Sequence, residues 1–119
     1  MSNTANSPRH ISTIRDYHAH IYFDASHQNT ARELRTRIGE TFVVELGNWN
    51  EKPVGPHPTW SAEIIFAASV FARLVPWLAL NRAELSVLVH PNTGDDVADH
   101  TSHAMWLGSP LLLVLSALQ

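Results

Sequence analysis

The order of strand-like and helix-like patterns along the chain constrains its fold most strongly. Residues 16–23, DYHAHIYF, alternate as a strand does, and a segment with apolar residues at helical spacing follows. Strand patterns recur over residues 41–47 and 59–67; a helical pattern then starts at Ala68, and a fourth strand pattern covers residues 84–90. This order predicts an α+β ferredoxin-like βαββαβ sandwich, with a four-stranded antiparallel sheet and helices on one face.

The two helical segments have boundaries that the sequence defines only in part. The first has apolar residues at helical spacing, namely Ala31, Leu34, Ile38 and Phe42. It starts either near Ser26 or at a possible capping box over residues 30–33. In the second, Pro76 predicts an interruption after Val75 and then another turn, because proline disfavours helical geometry in the preceding residue.

Two segments are rich in turn-forming residues. Residues 48–58, NWNEKPVGPHP, are dense in proline and glycine. They predict a loop that is long for a hairpin connection and is therefore a candidate functional loop. Residues 91–101, PNTGDDVADHT, form a second turn-rich segment, and they lead into residues 103–118, which we expect to contain a last strand or a short helix.

Length and composition exclude several classes of protein. A chain of 119 residues predicts one domain, which we place at residues 14–119 after a frayed polar tail over residues 1–13. The absence of cysteine excludes disulfides, thiolate metal sites and a cysteine nucleophile. The formal charge is −3 and no basic run is present, so neither nucleic acid nor an anionic membrane is an expected partner.

The chain also lacks the pattern of a membrane or secreted protein. Its longest apolar run, PLLLVLSAL, is far shorter than the ~20 residues of a membrane span. The first 13 residues lack the apolar stretch of a signal peptide. We therefore expect a cytoplasmic protein.

Histidine is the unusual component, with eight in the chain. His18 and His20 lie on one face of the first strand, because alternate residues of a strand point to the same side. The predicted fold has the spatial strand order 4-1-3-2, in which the end of the fourth strand lies beside the start of the first. His90 should therefore lie next to the other two, on the sheet face that the helices leave uncovered.

Three neutral imidazoles that converge on one point can hold a divalent first-row metal and leave positions open for substrate. Glu63, in the third strand, offers an alternative ligand on what could be the same face. Two histidines with Glu63 would form the facial triad that is typical of non-haem Fe(II) oxygenases. Strand parity does not distinguish the two ligand sets. An uncovered sheet face with apolar residues also predicts a homodimer.

The other histidines have less specific contexts. His57 lies between two prolines of the long loop, where it would either meet a substrate or end a turn. His10 is expected in the tail and His27 at a helix start, and His103 fits either a structural or a functional role. The aspartates of the turn-rich segment are expected to cap turns or to orient ligating histidines: Asp95, Asp96 and Asp99.

Aromatic residues supply candidate contacts for an aromatic substrate. Trp49 is the tryptophan that falls in the polar loop, and we take it together with Tyr22 as substrate-binding candidates. The remaining tryptophans are expected in the core: Trp60, Trp77 and Trp106.

Four long motifs together resemble the DOPA 4,5-dioxygenase family. They are YHAHIYFD, PVGPHP, PWLALNRAELSVLVHPNTGDDVADHT and AMWLG, and the resemblance extends from about Tyr17 to Leu111. It implies a ferredoxin-like α+β fold, usually dimeric. It also implies extradiol cleavage of a catechol such as DOPA with O₂ and a non-haem iron.

The resemblance also implies a set of site residues. The family's histidine-bearing motifs fall on five residues here: His18, His20, His57, His90 and His100. His103 falls at a position that looks variable. We expect Fe(II), with Zn or Ni as possible occupants of the purified protein, and His57 or His100 as the acid/base. The competing hypotheses are a dimeric protein that binds a metal or a small aromatic without catalysis, and a zinc-dependent hydrolase.

Overall fold

One antiparallel sheet organises the structure, a computed structural model that describes residues 7–119. Its strands are β1 (Asp16–Phe23), β2 (Glu45–Asn50), β3 (Trp60–Phe66), β4 (Val87–Asn92) and β5 (Met105–Leu107). They are ordered β2-β3-β1-β4-β5. The order predicted for the first four strands is therefore confirmed, but the prediction of a four-stranded sheet is wrong. β5 pairs with β4 and supplies hydrogen-bond partners to an edge that would otherwise be unpaired.

Within residues 7–119, three α-helices complete the α+β fold: α1 (Gln28–Thr41), α2 (Ala68–Asn81) and α3 (Asp96–Asp99). α1 and α2 bury their apolar residues against one face of the sheet, in a core that includes Leu34, Ile38, Leu74 and Leu78. From β1 this core receives Ala19, Ile21 and Phe23. The predicted alternation of β1 is confirmed, because His18, His20 and Tyr22 point to the other face.

α1 begins earlier than the capping-box prediction. The Asp24 side chain accepts a hydrogen bond from the backbone N–H of His27, at 3.1 Å, and caps a short 3₁₀ turn over Ala25–His27. α1 continues directly from this turn at Gln28. An aspartate that is followed by a tight turn supplies the missing N-terminal acceptor, so no capping box at residues 30–33 is needed.

α2 passes through Pro76 without a break, so the predicted interruption is wrong. Proline removes the hydrogen bond that its N–H would have donated to the carbonyl of Ala72. Both residues lie on the exposed side of α2, where water can reach that carbonyl. On the opposite side Leu74 and Leu78 are fully buried, so packing against the sheet holds the two halves of the helix in line.

β2 begins at Glu45, later than predicted, and includes residues that we assigned to the long loop. The reason lies at the end of α1, where the backbone N–H of Phe42 still bonds to the carbonyl of Ile38 at 2.9 Å. The chain therefore leaves the helix only after Phe42. The register of β2 against β3 then shifts between Leu46 and Trp49, which marks an irregularity in the strand.

Short 3₁₀ turns lie near both ends of the described residues. Part of the predicted frayed tail, residues 1–6, lies outside the described residues. Ile11–Thr13 form a 3₁₀ turn that the side chain of His10 caps. Beyond β5, Leu115–Leu118 form another 3₁₀ turn, so the last segment contains both the strand and the short helix that we had offered as alternatives. Over residues 7–119, no helix is long and apolar enough to cross a bilayer.

Candidate metal centre

β1 and β4 bring three histidines together on the sheet face opposite α1 and α2. His18 and His90 are paired residues in the antiparallel register, and His20 lies two residues further along β1. Each imidazole offers one nitrogen such that the three nitrogens lie within 4.8 Å of one another. This juxtaposition follows from strand alternation and strand order, as the sequence predicts.

Two of the three imidazoles are deeply buried and face each other closely. His20 is 4% exposed and His90 is 3% exposed. Their Nε2 atoms lie 3.0 Å apart. The Nδ1–H of His90 donates to the carbonyl of Pro91 at 2.8 Å, which leaves its Nε2 lone pair directed at His20. Such a pair of nitrogens is suited to share one metal ion.

The electrostatic environment keeps these histidines uncharged. Burial lowers the pKa of His20 well below its ordinary value, and the neighbouring His57 and His90 lower it further. Burial also lowers the pKa of His90 to about 4, although its hydrogen bond to Pro91 acts in the opposite direction. Neutral imidazole is the ligand form that iron, zinc, nickel and copper ions bind. The donor set therefore fits a divalent first-row metal.

His18 is half-buried and lies between two carboxylates. Its Nε2 is 3.6 Å from Oδ1 of Asp16, and its Nδ1 is 3.6 Å from Oε2 of Glu63. Oδ1 of Asp16 is buried and has no hydrogen-bond partner among residues 7–119. An unsatisfied buried acceptor beside an imidazole is well placed to orient that ring.

Glu63 lies near the histidines but outside the group of three imidazoles. It is the register partner of His20, and its carboxylate extends along the sheet face toward His18. Gly47 makes this position possible, because a Cβ at residue 47 would lie 2.5 Å from Oε1 of Glu63. The geometry favours three histidines as ligands, with Glu63 beside them.

The long loop carries His57 to the edge of this cluster. Its ring lies 4.3 Å from that of His20, measured between centroids. Its Nδ1 is 2.7 Å from the hydroxyl oxygen of Tyr22, which is itself 3% exposed. Burial lowers the pKa of His57 to about 4, and His100 contributes to the shift. Burial raises the pKa of Tyr22, so its hydroxyl keeps its proton.

The second turn-rich segment carries His100 to the other side of the cluster. Asp95 caps α3 by accepting from the backbone N–H of Ala98 at 3.1 Å. His100 follows α3, and its Nδ1–H donates to the carbonyl of Asp96 at 2.7 Å. Its ring lies 4.2 Å from that of His90. This bond leaves Nε2 of His100 free to accept a proton.

A depression of about 150 Å³ adjoins the histidines. It lies between β2, β3 and the long loop, and six of its lining residues are His20, Asn48, Asn50, His57, Ser61 and Glu63. The depression therefore borders both His20, one of the three clustered imidazoles, and His57.

The two aromatic candidates lie on opposite faces of the sheet. Tyr22 is on the histidine face, in contact with His57. Trp49 is not in a loop but in β2, and it packs on Phe23 with ring centroids 4.5 Å apart, beneath the guanidinium of Arg32. Trp49 thus belongs to the face covered by α1 and does not line the histidine cluster or the depression beside it.

The remaining histidines have structural partners. His27 precedes α1 and bonds to the Asp24 carboxylate at 2.8 Å, as expected for a helix start. His103 bonds to Oδ1 of Asp99 at 2.9 Å. Asp99 is 1% exposed; burial alone would raise its pKa, but hydrogen bonds from His103 and Thr93 lower it below the usual range.

Sequence reasoning missed two residues of this face. Trp106, which we expected in the core, lies in β5 and stacks on Tyr22 with centroids 5.8 Å apart. Asp16 lies beside His18. A signal for Asp16 was present, because it shares the parity of His18 and His20 in β1. No comparable signal placed Trp106, since its strand was not separately predicted.

Comparison with known proteins agrees with the motifs. The sequence matches the model of the Dopa 4,5-dioxygenase family over residues 17–117. It is 40% identical to the "DOPA 4,5-dioxygenase" of Amanita muscaria, over 90% of this chain and 51% of that protein. It is 38% identical to an "Uncharacterized 21.2 kDa protein" of Botryotinia fuckeliana, over 84% of this chain and 61% of that protein. The chain thus spans only about half to three-fifths of these curated relatives.

A solved structure matches the fold over nearly its whole length. It is the crystal structure of a protein from Nostoc punctiforme described as a "putative dioxygenase". The TM-score is 0.92 at 43% sequence identity, and the alignment covers 93% of this chain and 96% of the other. With a family match that extends over most of the sequence, the chain belongs to the Dopa 4,5-dioxygenase family.

Proposed function

We propose that this protein is a metal-dependent extradiol dioxygenase that opens the ring of a catechol with O₂. The observation that carries the proposal is the group of three imidazoles, His18, His20 and His90, whose ligand nitrogens lie within 4.8 Å of one another. Two further histidines border this group, and a depression adjoins it. Family membership supports an oxygenase as the class of enzyme.

Three histidine ligands would leave positions open on the ion. When bound, Fe(II) would supply Lewis acidity and a shared site at which the catechol and O₂ react in register. Both oxygen atoms of O₂ enter the ring-opened product, a muconic semialdehyde, so the overall reaction needs no external reductant.

His100 is placed to accept a proton from the catechol. Its Nδ1–H is held by the carbonyl of Asp96, at 2.7 Å, so the unprotonated nitrogen is Nε2. Its ring borders that of His90 at 4.2 Å. A base within reach of the substrate hydroxyl is what deprotonation of a catechol requires.

His57 is placed to donate a hydrogen bond to a substrate oxygen, because burial lowers its pKa to about 4 and keeps the ring neutral. The buried hydroxyl of Tyr22 lies 2.7 Å from Nδ1 of His57, and burial raises the pKa of Tyr22, so this hydroxyl keeps its proton; we assign it as the hydrogen-bond donor to that nitrogen. The proton of neutral His57 then resides on Nε2, on the other side of the ring. With these assignments, Nε2 of His57 donates a hydrogen bond and Nε2 of His100 accepts one.

The test is anaerobic loading of the purified protein with Fe(II), followed by addition of O₂ and a panel of catechols. We expect a yellow semialdehyde product with at least one catechol and none after His90→Ala. Failure of every catechol to give a ring-opened product, in protein shown to contain iron, would refute the catalytic proposal.

The alternative is a protein that binds a metal or a small aromatic without turnover, since the same cluster serves both. Bound metal together with tight catechol binding and no product would favour it. A zinc-dependent hydrolase would need only a metal-activated water and one base, and no feature of the described site favours that reaction over oxygenation.

We also propose that the fold is ferredoxin-like, that the protein forms a homodimer and that it is cytoplasmic. The strand order over β1 to β4 supports the ferredoxin-like assignment. A homodimer is supported by exposed apolar residues such as Leu112, at 93% exposure, in the segment after β5. Sedimentation of the purified protein tests the dimer, and fractionation of cells tests the cytoplasmic location.

A further inference from the structure

The depression beside the histidines is lined by one negative charge and no positive charge. Of the residues that line it, Glu63 is the only one with a formal charge; the others include the amides Asn48 and Asn50 and the hydroxyl of Ser61. Lys52, the basic residue of the covering loop, is exposed and does not line the depression. A substrate group that enters this space therefore meets a carboxylate and neutral dipoles.

The carboxylate of Glu63 is not neutralised by a basic side chain. Its ion-pair contact among residues 7–119 is with His18 Nδ1, at the long distance of 3.6 Å. Arg35, on α1, is a basic residue near Glu63 in the fold, but its guanidinium donates to the carbonyl of Gly47, at 3.2 Å. Glu63 is half-buried, as His18 is, so its charge is only partly screened by solvent.

The depression borders the candidate metal ligands. Its wall includes His20, one of the three candidate ligands, and His57 at its edge. Glu63, the register partner of His20, lies in the same wall and is therefore within reach of a substituent on a ring bound at the histidine cluster. A volume of about 150 Å³ accommodates a short chain with a polar head.

We infer that Glu63 selects catechols whose side chain carries an ammonium group and disfavours those that carry only a carboxylate. The ammonium would pair with Glu63 and donate to the amide oxygens of Asn48 and Asn50. A carboxylate in the same place would face Glu63 without a compensating cation. This inference rests on the proposed function, because it assumes that a catechol binds at the histidine cluster.

The test compares three catechols of similar size that differ in side-chain charge. These are dopamine, 4-ethylcatechol and 3,4-dihydroxyphenylacetate, with anaerobic binding to the metal-loaded protein measured by calorimetry and turnover measured separately. We expect dopamine to bind about five- to tenfold more tightly than 4-ethylcatechol, and the carboxylate to bind most weakly.

Two variants test the role of the charge by different routes. Glu63→Gln should bring the three dissociation constants close together, with the metal content unchanged. Asn48→Lys keeps Glu63 and adds a cation at an exposed lining position, so it should improve binding of the carboxylate and weaken binding of dopamine. Glu40→Gln, an exposed change on α1 with the same change in net charge, should preserve the wild-type order.

The outcomes separate this inference from the proposed function. Equal binding of the three catechols, or tighter binding of the carboxylate, would overturn the role of Glu63 even if all are cleaved. The predicted binding order without any cleavage would support the inference while refuting catalysis. Absence of binding by all three would overturn both.

Discussion

Acid should destabilise the metal-free protein because its histidines are buried in the neutral form. Burial lowers the pKa of both His57 and His90 from 6.5 to about 4. Between these pH values the unfolded chain binds protons that the folded chain does not. The free energy of unfolding is therefore fully retained above about pH 6.5, and it falls as the pH drops toward 4.

The size of the effect follows from the pKa difference. The step from 6.5 to about 4 corresponds to about 3 kcal/mol for one isolated group. Water that reaches the partly open site reduces this, so we expect about 1–2 kcal/mol from His57. The limiting slope is about 1.4 kcal/mol per pH unit for each such histidine.

Urea unfolding of the metal-free protein over a series of pH values between about 7.5 and 4 measures this slope. His57→Asn removes the titrating ring while it keeps an acceptor for the hydroxyl of Tyr22, so its slope should be shallower than that of the wild type. His10→Asn changes an exposed histidine outside the cluster and should leave the slope as it is.

Bound metal should raise the free energy of unfolding near neutral pH, because it binds the folded chain. This gain should shrink as the pH falls, because protons compete with the ion for the same nitrogens, so the metal-loaded protein should lose stability in acid at least as steeply as the metal-free protein. Identical pH slopes for the wild type and His57→Asn would refute the reasoning. They would mean that the histidine face is open to water when no metal is bound.

Three further predictions concern the cluster and the core. His90→Ala should weaken metal binding by more than about 100-fold, measured by competition with a chelator. Tyr22→Phe should leave Nδ1 of His57 without its donor, lower kcat by about 10- to 100-fold and shift the pH profile of kcat, with little change in metal content. Leu78→Ala, at a fully buried position of α2, should lower the free energy of unfolding by about 2–5 kcal/mol in urea titration.

Matched variants accompany these three changes. His27→Ala removes a histidine that bonds to Asp24 outside the cluster, and it should leave metal affinity unchanged. Leu80→Ala lies on the same helix as Leu78 but at 86% exposure, and it should change stability by less than about 0.5 kcal/mol. A Tyr22→Phe variant with wild-type kcat and pH profile would show that the Tyr22 hydroxyl does not control the proton on His57.

Much of the sheet was predictable because its evidence is local. The alternation of β1 assigned His18 and His20 to one face and the apolar residues to the other, and the core confirms it. The order of the elements then gave the neighbours of β1, so that His90 could be placed beside His18. These inferences need only the period of a strand and the short connections of a small domain.

The failures occurred where packing or a long-range partner overrides the local pattern. Pro76 does not interrupt α2 because buried residues on the opposite side hold the helix together. Trp49 was assigned to a loop, but β2 extends through it and turns its ring toward Phe23. A strand that continues a few residues further than predicted assigns those residues to one or the other face of the sheet.

The sequence by itself determined that three imidazoles share one sheet face, because strand periodicity and element order are local properties of the chain. Only the tertiary structure decided how His57 and His100 border them. Their positions depend on the path of two loops, and those paths are set by contacts such as the Tyr22 hydroxyl and the Asp96 carbonyl. The position of Glu63 was predictable only in part. Its strand was predictable, but the direction of its carboxylate depends on the space that Gly47 leaves on the neighbouring strand.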